Sequence, residues 1–469
     1  MTKQTVTTVV EIPITTTSAS ARQHYIVGRL LGENFQTQKA AAAFKNAVDA
    51  DPDFALGYMG LATASNKFSD QTAYFDKAED LAKNASEGER HLIRLTRAMY
   101  ENVYPVMKSE VQSLLSMFPK DKRVLLNAAL FENYFNSNTE ASMRHTNKAL
   151  ELDPDFAAAY NNLGYLYIDK GDFKKAETAF KKYISLQPGF PNAHDSYAEM
   201  LMKAGRYDES IAEYNKALSL DPKFIIAYTG LGNNYLFKGD FVKARENYQK
   251  MCDADPNGYM NLTGLYNQAV SFVREGDFDN ALKVLDKRVS AAQTIGSVSD
   301  VVLSHTIAAQ ILAAKGNADE AMKHYDMAYE DIEKSALAGN IKDDMNRQVK
   351  LHRLNSKAIS DQTYAVNAEL ETIEQLVGGI QNPRDKSEYE LVSGIAAMKE
   401  NRDDKAMVHF SADCSRDPMS WYYQSVIYNK KGNTRKAEQM KEKIRKSTDN
   451  SFDLALAYNL ITRDVSKDK

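Results

Sequence analysis

PDFAAAYNNLGYLYIDKGDFKKAETAFKKYISLQP, residues 154–188, begins and ends on a proline, and the same interval of 34 residues leads on to Pro222 and Pro256. Between these prolines, similar residue types recur at equal offsets. They are an aromatic residue or histidine (Tyr160, His194, Tyr228), a small residue (Gly164, Ala198, Gly232) and a glycine (Gly171, Gly205, Gly239). Self-similarity at a fixed period indicates a repeat architecture.

Each repeat predicts two short helices joined by a turn. The aromatic and small residues follow one another in steps of three or four, which places them on one helical face. The glycine can adopt φ > 0 and end the first helix, and Asp172, Asp240 and Asp277 can then cap the second through a side-chain oxygen. The proline ends the second helix. Because one helix pair cannot bury its own apolar face, successive pairs must stack.

Small residues on both helices explain the spacing. Gly164 on the first helix and Ala176 on the second let the two backbones approach closely, while aromatic residues such as Phe180 fill the gaps beside them. Ala198 with Ser210, and Gly232 with Ala244, repeat the arrangement. We therefore expect each pair to be held by a small residue packed against a large one.

The repeat resembles the tetratricopeptide repeat, a helix-turn-helix pattern of 34 residues with aromatic, Leu-Gly, aromatic, Ala, aromatic and Pro at these offsets. Weaker matches extend outwards: His24, Gly28 and Phe44; Leu265, Ala269 and Ala281; Ala309, Gly316 and Tyr325; Gly394, Phe410 and Pro418; Trp421, Tyr428 and Gly432. The resemblance implies an all-α, right-handed superhelical solenoid of stacked antiparallel helix pairs, with about twelve pairs and a C-terminal capping helix.

The regularity of the pattern divides the chain into seven segments. They are a Thr-rich N-terminal extension (1–20), repeats (21–83), divergent helix pairs (84–153), regular repeats (154–332), divergent helix pairs (333–388), repeats (389–447) and a capping helix with a polar tail (448–469).

The composition favours a helical chain without a strongly charged partner. Of the 469 residues, 59 are basic and 63 acidic, for a formal net charge of −4, so no whole-chain field favours nucleic acid or an anionic membrane. No apolar run approaches the ~20 residues that span a bilayer, so we expect no membrane insertion. Cys252 and Cys414 lack a CxxC partner and are expected to be buried, unpaired thiols.

The N-terminal sequence leaves the compartment open. MTKQTVTTVVEIPITTTSAS lacks the basic head and apolar core of a secretory signal, so the chain as written is expected in the cytoplasm. Export to a periplasm remains an alternative if a leader has been removed. The stretch EIPITTTSASARQHYIVGR resembles leaders that precede repeat arrays in bacterial chains.

No sequence motif indicates an enzyme. Phosphate-binding, dinucleotide-binding, zinc-protease, serine-hydrolase and kinase motifs are all missing from the sequence, and the eight histidines are scattered along it. We therefore predict no catalytic residue, no metal site and no cofactor. An enzyme whose residues lie in the divergent segments is the least favoured alternative.

A second stripe on the first helix of each pair predicts the binding face. In the family that the repeat resembles, this stripe lines the concave groove. Amide side chains there can both donate to and accept from an extended peptide backbone, and aromatic rings can cover apolar side chains. The predicted peptide-binding residues are Asn161, Asn162, Tyr165, Asn192, Glu199, Asn233, Phe237, Tyr266 and Asn267.

The stripe favours a protein or peptide partner of unknown identity. A related groove in the family binds acidic C-termini through lysine and asparagine, but the corresponding places here hold Asn161 and Tyr165, then Asn192 and Ser196. The sequence thus predicts a non-enzymatic binding scaffold. The alternative is a regulatory sensor whose curvature responds to a bound peptide or small ligand.

Overall fold

The computed structural model describes residues 11–65, 68–101, 103–359, 366, 368–371, 383–412 and 414–467. The chain divides into two compact units, Met1–Gly230 and Leu231–Lys469, here called the N-terminal unit and the C-terminal unit. The described residues form helices and connecting turns, with no β-strand among them. The predicted all-α class is confirmed.

The N-terminal unit is a stack of helix pairs. Its helices are α1 (Ala19–Glu33), α2 (Thr37–Ala50), α3 (Ala55–Ala64), α4 (Phe68–Ala82), α5 (Glu87–Glu101), α6 (Tyr104–Met117), α7 (Lys122–Tyr134), α8 (Thr139–Leu152), α9 (Ala157–Asp169), α10 (Phe173–Leu186), α11 (Pro191–Lys203) and α12 (Tyr207–Leu220). The division between the units falls within α13 (Ala227–Phe237). Successive helices pack against one another, so odd-numbered helices are the first members of their pairs.

The C-terminal unit continues the same alternation. Its helices are α14 (Phe241–Ala254), α15 (Tyr259–Glu275), α16 (Phe278–Thr294), α17 (Val298–Ala314), α18 (Ala318–Lys334), α19 (Gly339–Ile359), α20 (Pro383–Lys399), α21 (Asp403–Phe410), α22 (Pro418–Lys430), α23 (Thr434–Lys446) and α24 (Phe452–Lys467). The final helix contacts α23, as a cap would. It also packs along α15 and α22, which the sequence did not predict.

A glycine facing an aromatic ring holds several of the pairs together. A Cβ atom added at Gly164 would lie 2.5 Å from the Phe180 ring, and one at Gly232 would lie 2.2 Å from the Tyr248 ring. Both rings are fully buried. The same contact joins Gly28 to Phe44 and Gly394 to Phe410. The expected packing of small against large residues is therefore confirmed at these pairs.

The predicted turn chemistry is also present. Gly171, Gly205 and Gly239 have φ values of 72°, 76° and 80°, in the left-handed region that favours glycine. The Asp172, Asp240 and Asp277 side chains each accept a hydrogen bond from the backbone N–H three residues later. These caps fix where each second helix begins.

Three contacts close the N-terminal unit on itself. Tyr183 OH donates to Asn34 Oδ1 at 2.9 Å, which joins α10 to the end of α1. Arg123 Nε lies 3.0 Å from Glu33 Oε1, and Lys39 Nζ lies 2.8 Å from Asp221 Oδ2. The first helix pair thus meets later helices of the same unit, and the inner face becomes a cavity.

The divergent segments contain helices, although their sequence markers drift. In 84–153, α5 packs with α6 and α7 packs with α8. In 333–388, residues 360–365, 367 and 372–382 lie outside the described residues, so the helix pairs predicted there are described only through α19, the helical residues 366 and 368–371, and the start of α20. The first ten residues of the N-terminal extension also lie outside them, while helix α1 begins within it, at Ala19. The segment boundaries stay predictions.

Both cysteines are buried and unpaired, as predicted. Burial raises the pKa of the Cys252 thiol to about 11 and that of Cys414 to about 12, so both remain protonated thiols. Among the described helices, none is both long enough and apolar enough to cross a bilayer.

We expect Gly164→Ala to destabilise the protein by about 1–3 kcal/mol, although alanine normally favours a helix interior, because the new methyl group would overlap the buried Phe180 ring. Gly32→Ala is the control, since a Cβ atom there meets nothing within 4 Å. Urea denaturation of both variants measures the difference. Equal stability of the two variants would contradict the role of the glycine and ring contact.

Candidate functional site

The N-terminal unit contains a partly open cavity of about 1090 Å³. Residues of α1, α3, α5, α7, α9 and α11, the first helices of successive pairs, supply most of its wall. The wall combines apolar residues such as Leu92 and Leu130 with tyrosines and asparagines. A site of this size, mainly apolar but with some polar groups, is suited to a ligand larger than a single side chain.

The structure brings five predicted site residues together in this cavity: Asn161, Asn162, Tyr165, Asn192 and Glu199. Asn162 is buried, and its Nδ2 donates to Thr146 Oγ1 at 2.8 Å. Asn192 Nδ2 donates to Tyr183 OH at 2.9 Å, so it supports the closure of the unit. These two amides therefore have structural roles as well as a place in the wall.

Asn161 differs from its neighbours because its Oδ1 atom is shielded from solvent and lacks a hydrogen-bond partner among the described residues. Such an acceptor is costly to bury unless a ligand donates to it. Tyr165, one turn along α9, donates from its OH to Glu199 Oε2 at 2.9 Å, and its ring packs edge-on against Phe180 with centroids 5.3 Å apart.

Two carboxylates of α11 stand one turn apart in the wall. Glu199 is paired with Lys203 at 3.2 Å and with Tyr165. Asp195 Oδ1 is shielded from solvent and has no hydrogen-bond partner in the described structure. Burial, with a smaller effect of the Glu199 charge, raises the pKa of Asp195 to about 8.

The chain's own residues 11–14 line one edge of this cavity, and the segment continues to Ser18, where α1 is capped. The Ile12 N–H donates to Asp121 Oδ2 at 2.8 Å, and Thr15 donates from its N–H to Glu89 Oε1 at 2.7 Å. The Thr16 hydroxyl donates to Asp51. Asp121 and Glu89 lie at the starts of α7 and α5, so the backbone of this segment is bound by carboxylates at the N-termini of two first helices.

In the C-terminal unit, three of the four predicted site residues bind the segment that leads into α24. Asn450 Nδ2 donates to Asn233 Oδ1 at 2.8 Å and to Asn267 Oδ1 at 3.1 Å. The Phe452 N–H donates to Tyr266 OH at 3.2 Å. Asn233, Asn267 and Tyr266 therefore bind this chain's own C-terminal segment.

The fourth residue, Phe237, contacts Arg274, which in turn contacts α24. The Arg274 guanidinium stacks 3.9 Å from the Tyr458 ring centroid of α24 and 5.5 Å from that of Phe237. Leu454 and Ala457 of α24 are fully buried. The inner face of α15 is therefore covered by α24.

Sequence reasoning missed the residues that bind the chain's own ends. Glu89 forms a capping box with Ser86, and this S-x-x-E pattern was readable in the sequence. Asp121 is the N-cap of α7, a role that the sequence Lys120-Asp121-Lys122 did not predict. Asn450 lies outside any repeat, so no offset could have paired it with Asn233.

No arrangement for metal chemistry is found among the described residues. No group of three or more His, Cys, Asp or Glu side chains there could hold a metal ion. His305 Nδ1 and His324 Nδ1 lie 3.2 Å apart, and burial lowers the pKa of both rings. His194 pairs with Glu213 at 2.6 Å, at the repeat's leading aromatic position.

Family comparisons match three stretches of the chain. A model described as TPR repeat matches residues 198–239, and two described as tetratricopeptide repeat match residues 157–190 and 266–336. No curated protein matches the sequence.

Solved structures with a similar fold include a tetratricopeptide repeat protein from Parabacteroides merdae, 16% identical, with a TM-score of 0.41, covering 60% of this chain and 98% of that one. PilW, described as a type IV pilus biogenesis factor, is 18% identical with a TM-score of 0.33, covering 52% and 98%. YrrB, described as a TPR protein with an unusual peptide-binding site, is 22% identical with a TM-score of 0.28, covering 39% and 91%.

We expect Asp195→Asn to stabilise the protein at pH 8 but not at pH 4. The unfolded chain loses the Asp195 proton above about pH 4, whereas the folded protein keeps it until about pH 8. Ionisation therefore increasingly favours the unfolded state between these values. The gain at pH 8 should be on the order of 2 kcal/mol, allowing for partial solvent access.

Thermal unfolding across this pH range checks the effect, with Glu151→Gln, at an exposed position of α8, as the control. An Asp195→Asn gain that does not grow with pH would show that the carboxyl is not buried as described.

We expect Asn450→Ala to loosen α24, because Asn233 Oδ1 and Asn267 Oδ1 lose their shared donor. The cost should be about 1–3 kcal/mol. Hydrogen exchange in residues 452–467 should accelerate, while Asn429→Ala at an exposed position of α22 should leave it unchanged. Unaltered exchange in Asn450→Ala would mean that these hydrogen bonds do not hold the helix.

Proposed function

Because the chain is a tetratricopeptide repeat protein, we propose that it is a non-enzymatic binding scaffold whose N-terminal unit receives an extended segment of a protein or peptide. The receiving surface is the cavity wall formed by the first helices of the pairs. The cofactor-free, non-catalytic character that the sequence predicts is part of this proposal.

The single observation that supports this function most strongly is the way the chain's own residues 11–14 lie along the edge of the cavity. Two backbone N–H groups, those of Ile12 and Thr15, donate to carboxylates at helix N-termini. Binding through the main chain requires an extended conformation but few particular side chains. A second extended segment can be held in the same manner by the amides further along the wall.

Asn161 and Tyr165 are the residues best placed to bind such a segment. Both line the cavity, and Asn161 Oδ1 lacks a partner among the described residues. An acceptor of this kind can receive a peptide N–H, and the tyrosine ring can cover an apolar or cationic side chain. In the C-terminal unit, by contrast, Asn233, Tyr266 and Asn267 already bind the chain's own C-terminal segment.

The sensor alternative is a finer form of the same function. A sensor requires that the chain have two conformations of different dimensions and that the ligand bind one of them more tightly. A ligand that binds both conformations equally does not shift the equilibrium between them. Small-angle scattering with and without a bound peptide distinguishes a fixed scaffold from a sensor.

We expect random linear peptides selected on the full-length protein to bind the inner wall. Asn161→Ala combined with Tyr165→Ala should weaken the selected peptides by about tenfold or more, since a lost hydrogen bond and a lost ring contact together exceed about 1.4 kcal/mol. Titration calorimetry measures the change.

The matched control combines Asn147→Ala and Asn215→Ala, two exposed amides on the second helices α8 and α12. Peptides that bind both double variants as tightly as the unmodified protein would contradict the assignment of the inner wall. Failure to select any peptide would contradict the scaffold function itself.

A further inference from the structure

We propose that the cavity of the N-terminal unit selects extended peptides that carry a basic side chain, lysine or arginine, and that this side chain binds beside Asp195, Glu199 and Asp169. This choice of ligand rests on the proposed function and adds the chemistry of the partner to it.

The wall of the cavity carries more negative than positive charge. Six acidic side chains line it, those of Glu11, Glu33, Asp121, Asp169, Asp195 and Glu199, against three basic ones, Arg29, Arg123 and Lys203, so the acidic side chains are in excess even when Asp195 is protonated. Charges in a partly enclosed, low-dielectric cavity are poorly screened, so this excess favours a cationic ligand.

These carboxylates differ in the positively charged groups and hydrogen-bond donors that contact them. Glu33 pairs with Arg123 at 3.0 Å, and Asp121 accepts hydrogen bonds from Ile12 and from the start of α7. Glu199 has Lys203, whereas Asp195, one turn away on the same helix, has a shielded oxygen with no partner in the described structure. The deficit of positive charge is therefore located at the α9 and α11 end of the cavity.

A shielded carboxylate oxygen without a partner is costly, because burial removes its water and nothing replaces it. The raised pKa of Asp195 is the expected consequence of the same deficit. An ammonium or guanidinium group supplies both the missing donor and the missing charge, which a neutral side chain does not.

Aromatic rings at the same end suit a cation. Tyr134 lines the cavity with an exposed ring, and the Asp169 and Glu199 charges act on its hydroxyl. Tyr165 lies on the neighbouring helix with its hydroxyl bound to Glu199. A cation between ring faces and carboxylates gains from both interactions.

The amides of the wall favour a peptide over a free amine. Asn161 Oδ1 can accept a backbone N–H, and the Ile12 N–H, which donates to Asp121 of the wall, shows that this wall already binds a main-chain group. A free polyamine would satisfy the carboxylates, but it lacks the backbone N–H and C=O groups that an amide side chain can bind through both its acceptor and its donor.

The test uses the full-length protein and the peptides selected on it, each synthesised in two forms, with its lysine or arginine retained or replaced by norleucine. We expect selection to enrich lysine or arginine, and norleucine to weaken binding about tenfold or more. Asp195→Asn combined with Glu199→Gln should abolish the difference between the two forms, while Glu151→Gln should preserve it. Because the norleucine comparison is made on the unmodified protein, it remains decisive even if the double variant fails to fold.

Three outcomes overturn the inference, and they differ in what they imply for the proposed scaffold function. Peptides that depend on Asn161 but show no preference for a basic residue refute the cationic ligand and leave the scaffold function intact. Spermidine that binds as tightly as the basic peptides and displaces them refutes the peptide as occupant. Selection that yields no binding peptide refutes both the inference and the scaffold function.

Discussion

The contact between a glycine on the first helix of a pair and an aromatic ring on the second is the constraint on which the described structure depends. Gly164 with Phe180 and Gly232 with Tyr248 leave no room for a methyl group. This close approach fixes the distance between the two helices, and the repeat of the contact fixes how one pair follows another. The first helices are thereby aligned side by side, with one face free of the packing.

What covers that free face differs between the two units. In the N-terminal unit, residues 11–14 occupy an edge of it and leave a cavity of about 1090 Å³. In the C-terminal unit, α24 packs on α15 with fully buried residues, so this helix is part of the core. Stacked helix pairs present a concave inner face, and this chain covers part of that face with its own ends.

The sequence allowed the local structure to be predicted well, because the repeat encodes local interactions. The glycine turns at Gly171, Gly205 and Gly239, the aspartate caps and the packing of small against large residues all depend on neighbours within one repeat. The sequence of one repeat is therefore sufficient to predict these turns, caps and packing contacts. The positions of Asn161, Asn162, Tyr165, Asn192 and Glu199 in one cavity follow from the same offsets.

The contacts between distant segments could not be predicted. Tyr183 bonds to Asn34, and Asn450 to Asn233, across separations that no periodicity relates. Such contacts depend on how many helix pairs are stacked before the unit closes on itself. That number is set by the small rotation between successive pairs, summed along the stack. That Asp195 Oδ1 lacks a hydrogen-bond partner among the described residues follows from how the helices surround it, which no repeat offset predicts.

Hydrogen exchange of the full-length protein with a selected peptide tests the central claim most directly. If the inner wall of the N-terminal unit binds extended chains, the peptide slows exchange in α7, α9 and α11 and leaves the second helices α8, α10 and α12 unaffected. Slower exchange confined to those second helices, or to the C-terminal unit, would contradict the account.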